Sequence, residues 1–329
     1  MPHREPDDGT AIRASQRGTG ATPVPGPHPD ATAAPDRAKD RGGGVRAWAR
    51  AVGGGAVMAV ALGAGTGAGP ALVRLLGLAP GSFPARLVPA ALVSAAAVPL
   101  VLVALRRGGR RPRHIGFGPA GASLRAALLG VAVTAGAAAL VLGLGTAAGL
   151  LRWSRPDLSA LAAFLATNTV VALLLEALPE ETALRGFSWT SLRGRFGAAT
   201  AALGTTAVFL VVPGASTVVA AGAARLTGGP DTGIGIVPAG QHPVDYLVLL
   251  TVFGLTLVAA RTAVRGGPLW TAVGTHLTFL TVNRILLEGE RRNAGWHTVE
   301  QADLAPLLVL VYLLLTAGVF VLVGRFNRR

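Results

Sequence analysis

LSALAAFLATNTVVALLLEALPEETALRGF, residues 158–187, joins about twenty apolar residues to a cluster of charged ones. The apolar part, 158–178, is long enough to cross a membrane, because a helix rises ~1.5 Å per residue and the hydrocarbon core is ~30 Å thick. Glu180 and Glu181 follow at once, and Arg185 lies one helical turn further on. A carboxylate beside a bilayer is costly and marks a functional-site hypothesis. The stretch therefore predicts both a transmembrane helix and a candidate site.

Seven further apolar blocks have the same character, and together they predict an all-α, polytopic membrane helix bundle of about eight transmembrane helices. Residues 1–45 are rich in Pro, Gly, Asp and Arg and predict a disordered cytoplasmic tail, which leaves 46–329 as the transmembrane domain. The predicted spans are 47–68, 85–105, 123–150, 158–178, 198–220, 244–263, 268–288 and 305–324.

The composition narrows the chemistry that this chain of 329 residues can perform. It contains no cysteine, which excludes disulfides, thiolate metal ligands and cysteine nucleophiles. Any metal must be held by His, Asp or Glu. The net charge of +14 comes mostly from arginines beside the apolar blocks. That position favours contacts with the lipid bilayer and its anionic headgroups over nucleic-acid binding.

Basic side chains occur in every second connection between the predicted spans, as the positive-inside rule requires of cytoplasmic segments. This alternation predicts an even number of spans, with both termini in the cytoplasm of a cell-membrane protein. The arginines in question are Arg37, Arg41, Arg46, Arg50, Arg106, Arg107, Arg110, Arg111, Arg113, Arg185, Arg193, Arg195, Arg261, Arg265, Arg325, Arg328 and Arg329.

The charged residues after the fourth span have distinct predicted positions. Glu181 and Arg185 stand at i and i+4 on a helix and can form an ion pair. Glu180 lies about 100° round the axis and is then free to face the bundle, one turn after Glu176. The simpler interpretation is a helix end that carries charge at the water boundary.

His276 is the histidine that falls inside a predicted span, in the run GPLWTAVGTHLTFLTVNRIL, residues 267–286. An imidazole among apolar residues must find a hydrogen-bond partner. That partner can belong to a catalytic site on the glutamates, or it can be a purely structural one such as a threonine or Asn168.

The two elements together resemble the CPBP family of CAAX-protease and bacteriocin-processing intramembrane proteases. The resemblance covers about residues 115–290, the protease core, with four spans at its centre. The EExxxR motif followed by glycine is matched by Glu180, Glu181, Arg185 and Gly186. The histidine motif and the run before it are matched by Gly267, Leu269, Trp270 and His276.

Two positions depart from the family pattern. The second motif, Phe-x-x-x-His, corresponds to FLVVP, where Phe209 is in place but Pro213 stands at the histidine position. The Asn or Asp expected four residues after His276 is Leu280. Asn283 lies seven residues after that histidine, on the same face but about 10 Å further along the axis, and is an alternative source of an amide.

The resemblance implies an intramembrane endopeptidase that cleaves membrane-associated or prenylated peptides with a water molecule activated by glutamate. In this hypothesis Glu180 is the general base, Glu181 pairs with Arg185, and His276 orients the water or donates to the oxyanion. Zinc is one possible cofactor, but a catalytic zinc normally has three protein ligands, and the second histidine is missing. A metal-free site is the other option.

Two further functions fit the sequence. A catalytically inactive CPBP-like membrane scaffold or regulator is favoured by Pro213 and Leu280. A transporter is the second alternative, because the polar residues of the spans can line a path through the membrane. These path residues are Asn168, Glu176, His276 and Arg284.

Overall fold

A computed structural model describes residues 37–230, 232–237, 241–301 and 305–327 of the chain. These residues form eight long helices and one two-stranded sheet, and the predicted all-α membrane bundle is confirmed. A short 3₁₀ turn, Pro112–Ile115, precedes the third helix. The helices are α1 (Arg37–Leu75), α2 (Phe83–Arg107), α3 (Ala120–Ala147), α4 (Leu158–Phe196), α5 (Ala198–Leu226), α6 (Pro243–Ala263), α7 (Leu269–Glu288) and α8 (Ala305–Phe326).

Each predicted span overlaps one of these helices. Seven of the eight are long and apolar enough to cross a membrane by their length and composition, and α7 is not among them. Most of the first half of α7 is buried against other helices, including His276. Polar side chains in such a helix face the interior of the bundle, so α7 can be less apolar than its neighbours.

The predicted tail, 1–45, needs one correction. Residues 1–36 lie outside the described part of the chain, but 37–45 are helical and belong to α1. The end of this extra segment packs on the end of α4, because Gly44 approaches the ring of Phe196. Trp48, one turn further along α1, makes a tilted contact with the same ring, with 6.3 Å between the ring centroids. The packing stabilises helical turns that their glycine-rich sequence does not favour.

The helices alternate in direction, and several connections meet at one end of the bundle. One cavity at this end is lined by residues of four segments: His114 before α3, Trp189 in α4, Ala198 in α5 and Gly267 before α7. The last turn of α8 joins them there, because Asn327 donates a side-chain hydrogen bond to the carbonyl of Ala263, 3.0 Å long. We call this the basic end, since it carries the arginine-rich connections. Its position on the cytoplasmic side stays a prediction.

The opposite end of the bundle holds a small sheet that the sequence did not predict. Strand β1 (Leu151–Trp153) pairs antiparallel with β2 (Thr298–Gln301), with an irregularity in register beside Trp153. Trp153 also stacks on Trp296, with 4.4 Å between ring centroids. The sheet therefore ties the α3–α4 connection to the α7–α8 connection.

Candidate active site

Helix α4 is not a uniform α-helix where it carries the candidate site. Wider π-helical turns at Leu173–Ala177 and Glu181–Ser188 lie on either side of Pro179. Proline has no backbone N–H and clashes with the preceding turn, and local widening of the helix accommodates both effects. All eight residues of the second wide segment are buried. The EExxxR motif thus lies in irregular helix inside the bundle.

Glu181 is the centre of the buried polar cluster. Its Oε1 accepts a hydrogen bond from Arg185 Nη1 at 3.3 Å and lies 2.9 Å from His276 Nδ1. Glu181 and Arg185 have no exposed side-chain surface, and His276 is 2% exposed. An ionised carboxylate only accepts hydrogen bonds, so Nδ1 carries the proton. In a neutral imidazole, Nε2 is then left with a free lone pair.

Two aromatic rings enclose this cluster. The Arg185 guanidinium lies over the ring of Phe209, 4.3 Å from its centroid, in a cation–π contact. The edge-on contact between Phe253 and His276 has 4.9 Å between centroids. Phe209 is the residue that matches the second family motif, so this position has a visible role in packing the arginine even though the histidine is absent.

Several atoms of the cluster remain unsatisfied. Within the described ranges, Glu181 Oε2 and both Nε and Nη2 of Arg185 are buried without a hydrogen-bond partner. Buried polar atoms are nearly always bonded, to protein or to water, because an unmade bond costs free energy. The cluster therefore has both donor and acceptor capacity to offer a water molecule or a substrate.

Glu180, unlike Glu181, has no direct polar contact within the cluster. It is 8% exposed, and none of the described residues forms a hydrogen bond or an ion pair with it. Its electrostatic neighbours are His276, Glu176, Arg185 and Glu181. The carboxylate is thus within electrostatic reach of the imidazole but forms no direct bond to it among the described residues.

The positions that depart from the family pattern contribute no polar group here. Pro213 lies inside α5, and its carbonyl accepts a hydrogen bond from the Ser216 hydroxyl at 2.7 Å. Leu280 packs against the apolar core. The Asn283 side chain is engaged elsewhere, because its Oδ1 accepts from the Tyr312 hydroxyl at 3.2 Å.

The donor set does not fit a catalytic metal. Among the residues that the structure describes, no three His, Asp or Glu side chains form a group able to hold an ion. Zinc in a hydrolase takes three protein ligands and a water. Here Glu181 and His276 bond to each other, and Pro213 replaces the remaining histidine. We therefore assign no step to a metal.

A second polar network joins α4 to α7 further from the basic end. Arg284 forms an ion pair with Glu176 and donates through Nη1 to Asn168 Oδ1 at 3.0 Å. The Asn168 amide donates in turn to the Thr281 hydroxyl at 3.2 Å. Three residues of the hypothetical transport path thus bind one another, and the fourth, His276, binds Glu181.

Sequence reasoning missed one buried arginine. We assigned Arg261 to a basic connection, but it lies inside α6 and is only 3% exposed. Its guanidinium lies over the Trp189 ring, 5.5 Å from the centroid. The available signal was its position within the predicted span 244–263, because an arginine inside a span is rarely idle.

One comparison with known proteins bears on this site. The sequence model of a family described as type II CAAX prenyl endopeptidase Rce1-like matches residues 161–282. The match runs through most of α4, all of α5 and α6 and much of α7, and it includes Glu180, Glu181, Arg185 and His276. The resemblance to the CPBP family is thereby confirmed over these residues. No curated protein and no solved structure matches the chain.

Proposed function

We propose that this protein is an intramembrane endopeptidase that cleaves membrane-associated or prenylated peptides with a glutamate-activated water. The family match supports a CAAX-type endopeptidase at the level of the family. The observation that carries the proposal is the buried contact between Glu181 and His276, with Glu180 within electrostatic reach and free of hydrogen bonds to the other described residues. A fixed imidazole and a free carboxylate are the two groups that the proposed activation of water uses.

In the proposed reaction, His276 and Glu180 hold the water from two sides. Glu181 keeps the proton on Nδ1, so Nε2 accepts a hydrogen bond from the water and orients it. Glu180 takes the other proton as the water oxygen attacks the peptide carbonyl. Arg185 offsets the negative charge of Glu181 inside the bundle and so acts as a positioning residue.

The second half of the reaction returns the proton. Attack of the water oxygen gives a tetrahedral intermediate that carries a negative charge on the former carbonyl oxygen. Protonated Glu180 then donates its proton to the departing amine nitrogen as the C–N bond breaks. The second water proton then passes from the new carboxylic acid to the amine. One water is consumed, a carboxylate and an ammonium group are formed, and Glu180 ends as it began.

A non-catalytic scaffold is the second candidate, because of one specific observation. Pro213 and Leu280 occupy the positions of a histidine and an amide or acid in the family pattern, and neither offers a polar side chain. A relative that kept the fold and lost part of its site would look like this. Activity measurements separate the two candidates.

The test is proteolysis in proteoliposomes that contain the purified full chain and fluorogenic farnesylated or unmodified membrane peptides. We expect Glu180→Gln to lower the cleavage rate by about 10²-fold or more, the range of general acid–base catalysis. Glu290→Gln, at an exposed glutamate outside the spans, is the matched control and should leave the rate unchanged. A chelator should change the wild-type rate by less than about twofold, since the donor set lacks three ligands.

Two results would contradict the proposal. Wild-type rates in the Glu180→Gln variant would remove that residue from the mechanism. Absence of cleavage by the well-folded wild-type chain across a broad peptide library would favour the scaffold.

We propose that substrate enters at the basic end, and protease protection of the termini in oriented vesicles tests whether that end is cytoplasmic.

A further inference from the structure

The cavity at the basic end of the bundle is separate from the glutamate–histidine cluster, none of whose residues lines it. Its volume is about 660 Å³, within the range of ligand pockets. Helices α4, α5 and α6 and the turns before α3 and α7 enclose it. Among the described residues that line it none is acidic, whereas Arg193, Arg261 and His114 are basic. The cavity is therefore suited to a negatively charged ligand.

Arg261 is the buried charge of this cavity. The residue is 3% exposed, and no described carboxylate lies within ion-pair distance of it. Glu181 acts on it electrostatically but is already bonded to Arg185 and His276. A buried charge without a counter-charge is costly, and a bound anion removes that cost.

Three buried polar atoms of the lining residues have no hydrogen-bond partner in the described part of the chain: Trp189 Nε1, Thr190 Oγ1 and Arg261 Nε. The indole N–H and the guanidinium N–H can only donate, and a hydroxyl can donate as well. Such atoms are normally satisfied, by protein or by another molecule. All three can be satisfied by one ligand that carries several acceptor oxygens.

Backbone and an aromatic ring hold the guanidinium in place. Gly116 and Gly267 both have positive φ, 97° and 53°. A Cβ added at Gly116 would lie 2.7 Å from Arg261 Nη2, and one added at Gly267 would also collide with the guanidinium. Trp189 covers one face of the guanidinium, 5.5 Å from ring centroid to Cζ. Stacking on the face leaves the N–H edge for a ligand.

The rim of the cavity is accessible from outside the bundle. Arg193, Ala198 and Thr262 line the cavity and are exposed. They lie near the ends of α4, α5 and α6, where helices of a membrane protein meet the lipid headgroups and water. A ligand can therefore come from either phase.

A neighbouring cavity extends the positive charge along the same end. Val264 and Gly266, in the turn before α7, line both cavities. The neighbouring one is also lined by Arg113, Arg125 and Arg265, and by no acidic residue among those described. Basic side chains that surround an opening in this way raise the local concentration of anions.

A phosphate group fits these donors better than a carboxylate does. The donors are a guanidinium on α6 and an indole and a hydroxyl on α4, so they approach a ligand from different directions. A phosphate has more acceptor oxygens than a carboxylate and can meet more of them. Arginine is suited to bidentate phosphate contact, and basic pockets between transmembrane helices bind anionic headgroups.

We propose that this cavity binds a phosphate group, with the guanidinium of Arg261 as its counter-charge and with Trp189 and Thr190 as further donors. The phosphate belongs either to the headgroup of an anionic phospholipid or to a soluble phosphate ester. This site does not depend on the proposed peptidase reaction, so it is tested by binding and not by cleavage.

The experiment measures thermal unfolding of the delipidated full chain in uncharged maltoside micelles, at constant ionic strength. The probes are dioleoylphosphatidylglycerol, glycerol 3-phosphate and, as a lipid with a carboxylate in place of the phosphate, oleate. We expect a phosphate probe to raise the Tm of the wild-type chain, because binding to the folded state stabilises it. Oleate should bind about tenfold or more weakly, as expected for the loss of one hydrogen bond to a charged group.

The two phosphate probes distinguish the sources. A rise in Tm with phosphatidylglycerol but not with glycerol 3-phosphate assigns the site to a lipid headgroup. A rise with glycerol 3-phosphate assigns it to a soluble ester, or shows that the phosphate alone is sufficient if the lipid acts as well.

Variants test whether Arg261 holds the phosphate. Arg261→Gln should weaken binding of the stabilising probe by about tenfold or more. Arg107→Gln removes an exposed arginine from the last turn of α2 at the same end and should leave the affinity within about twofold of wild type. If Arg261→Gln does not fold, Arg261→Lys, which keeps the charge but not the fork, should bind more weakly than wild type. Thr190→Val should weaken binding a few-fold through the loss of one donor.

Three results would overturn the inference. The first is a wild-type Tm that neither phosphate probe changes. The second is a phosphate-dependent rise in Tm that is as large in the Arg261→Gln or Arg261→Lys chain as in the wild type. The third is binding of oleate that equals binding of phosphatidylglycerol, because the cavity would then not recognise phosphate.

Discussion

Two charged clusters join the same pair of helices, α4 and α7, and they differ in how completely they are bonded. In the first, Arg284 binds both Glu176 and Asn168, so the arginine is well satisfied. In the second, Glu181 binds Arg185 and His276, yet one carboxylate oxygen and two guanidinium nitrogens have no hydrogen-bond partner among the described residues. The first cluster therefore holds two helices together, whereas the second has polar atoms that can still bind a ligand or water.

The difference separates stability from function. A saturated ion pair inside a membrane protein holds helices together but has nothing to offer a ligand. An unsaturated cluster costs folding free energy and is retained where chemistry needs it. Variants of the two clusters should therefore differ in how much stability and how much cleavage activity they lose. Variants of the two adjacent glutamates should differ in the same way.

The largest expected effect on stability is that of Glu181→Gln. It leaves the fully buried Arg185 without a counter-charge, and we expect a loss of about 3–5 kcal/mol in the free energy of unfolding. Glu180→Gln removes a group that forms no direct bond and should cost less than about 1 kcal/mol. Equilibrium unfolding in mixed micelles measures both. Equal losses would mean that the two glutamates share one structural role.

Arg284→Met should have the next largest effect. Glu176 then loses its partner, and we expect a loss of about 2–3 kcal/mol in the free energy of unfolding. This is below the range for fully buried pairs because the two side chains are 14% and 24% exposed. The double variant Glu176→Gln, Arg284→Met should recover much of that loss. Cleavage per folded molecule should stay within about threefold of wild type. A catalytic defect in a stable Arg284→Met protein would place this network in the active site.

Asn283→Ala should have a smaller effect than either cluster variant, although a larger one than Glu180→Gln. The variant removes the hydrogen bond to Tyr312, whose side chain is fully buried, and should cost about 1–1.5 kcal/mol. Cleavage should be unchanged, since this amide points to Tyr312 and not to the glutamates. A large loss of activity without a loss of stability would show instead that Asn283 replaces the amide missing at Leu280.

The sequence predicts the fold well, because each span carries its own signal. A block of apolar residues and an adjacent arginine are local features, and every predicted span overlaps a helix. The Glu181–Arg185 contact is also local, set by a spacing of four residues on one helix. The helical turns before residue 46 were missed because the contact of Gly44 with Phe196 joins residues far apart in the sequence.

What the sequence did not predict depends on how helices are rotated against each other. His276 binds Glu181 rather than the adjacent Glu180. The wide turns of α4 and the position of α7 together determine which glutamate faces the histidine. Asn283 shares a helix face with His276, but α8 supplies Tyr312 opposite it. The Arg261 cavity arises only where three connections meet, and no single segment encodes it.

The small sheet at the far end has a thermodynamic consequence. Glu181 and His276 are separated by 95 residues, and bringing such distant segments together costs loop-closure entropy. The ladder continues past the strands, where the Asp157 amide donates to the carbonyl of Gly295 at 2.7 Å, next to the first turn of α4. Pairing of β1 with β2 closes the longer loop between Leu151 and Gln301, and it places α4 and α7 side by side at that end. Once this sheet has formed, bringing Glu181 and His276 together costs less additional loop-closure entropy.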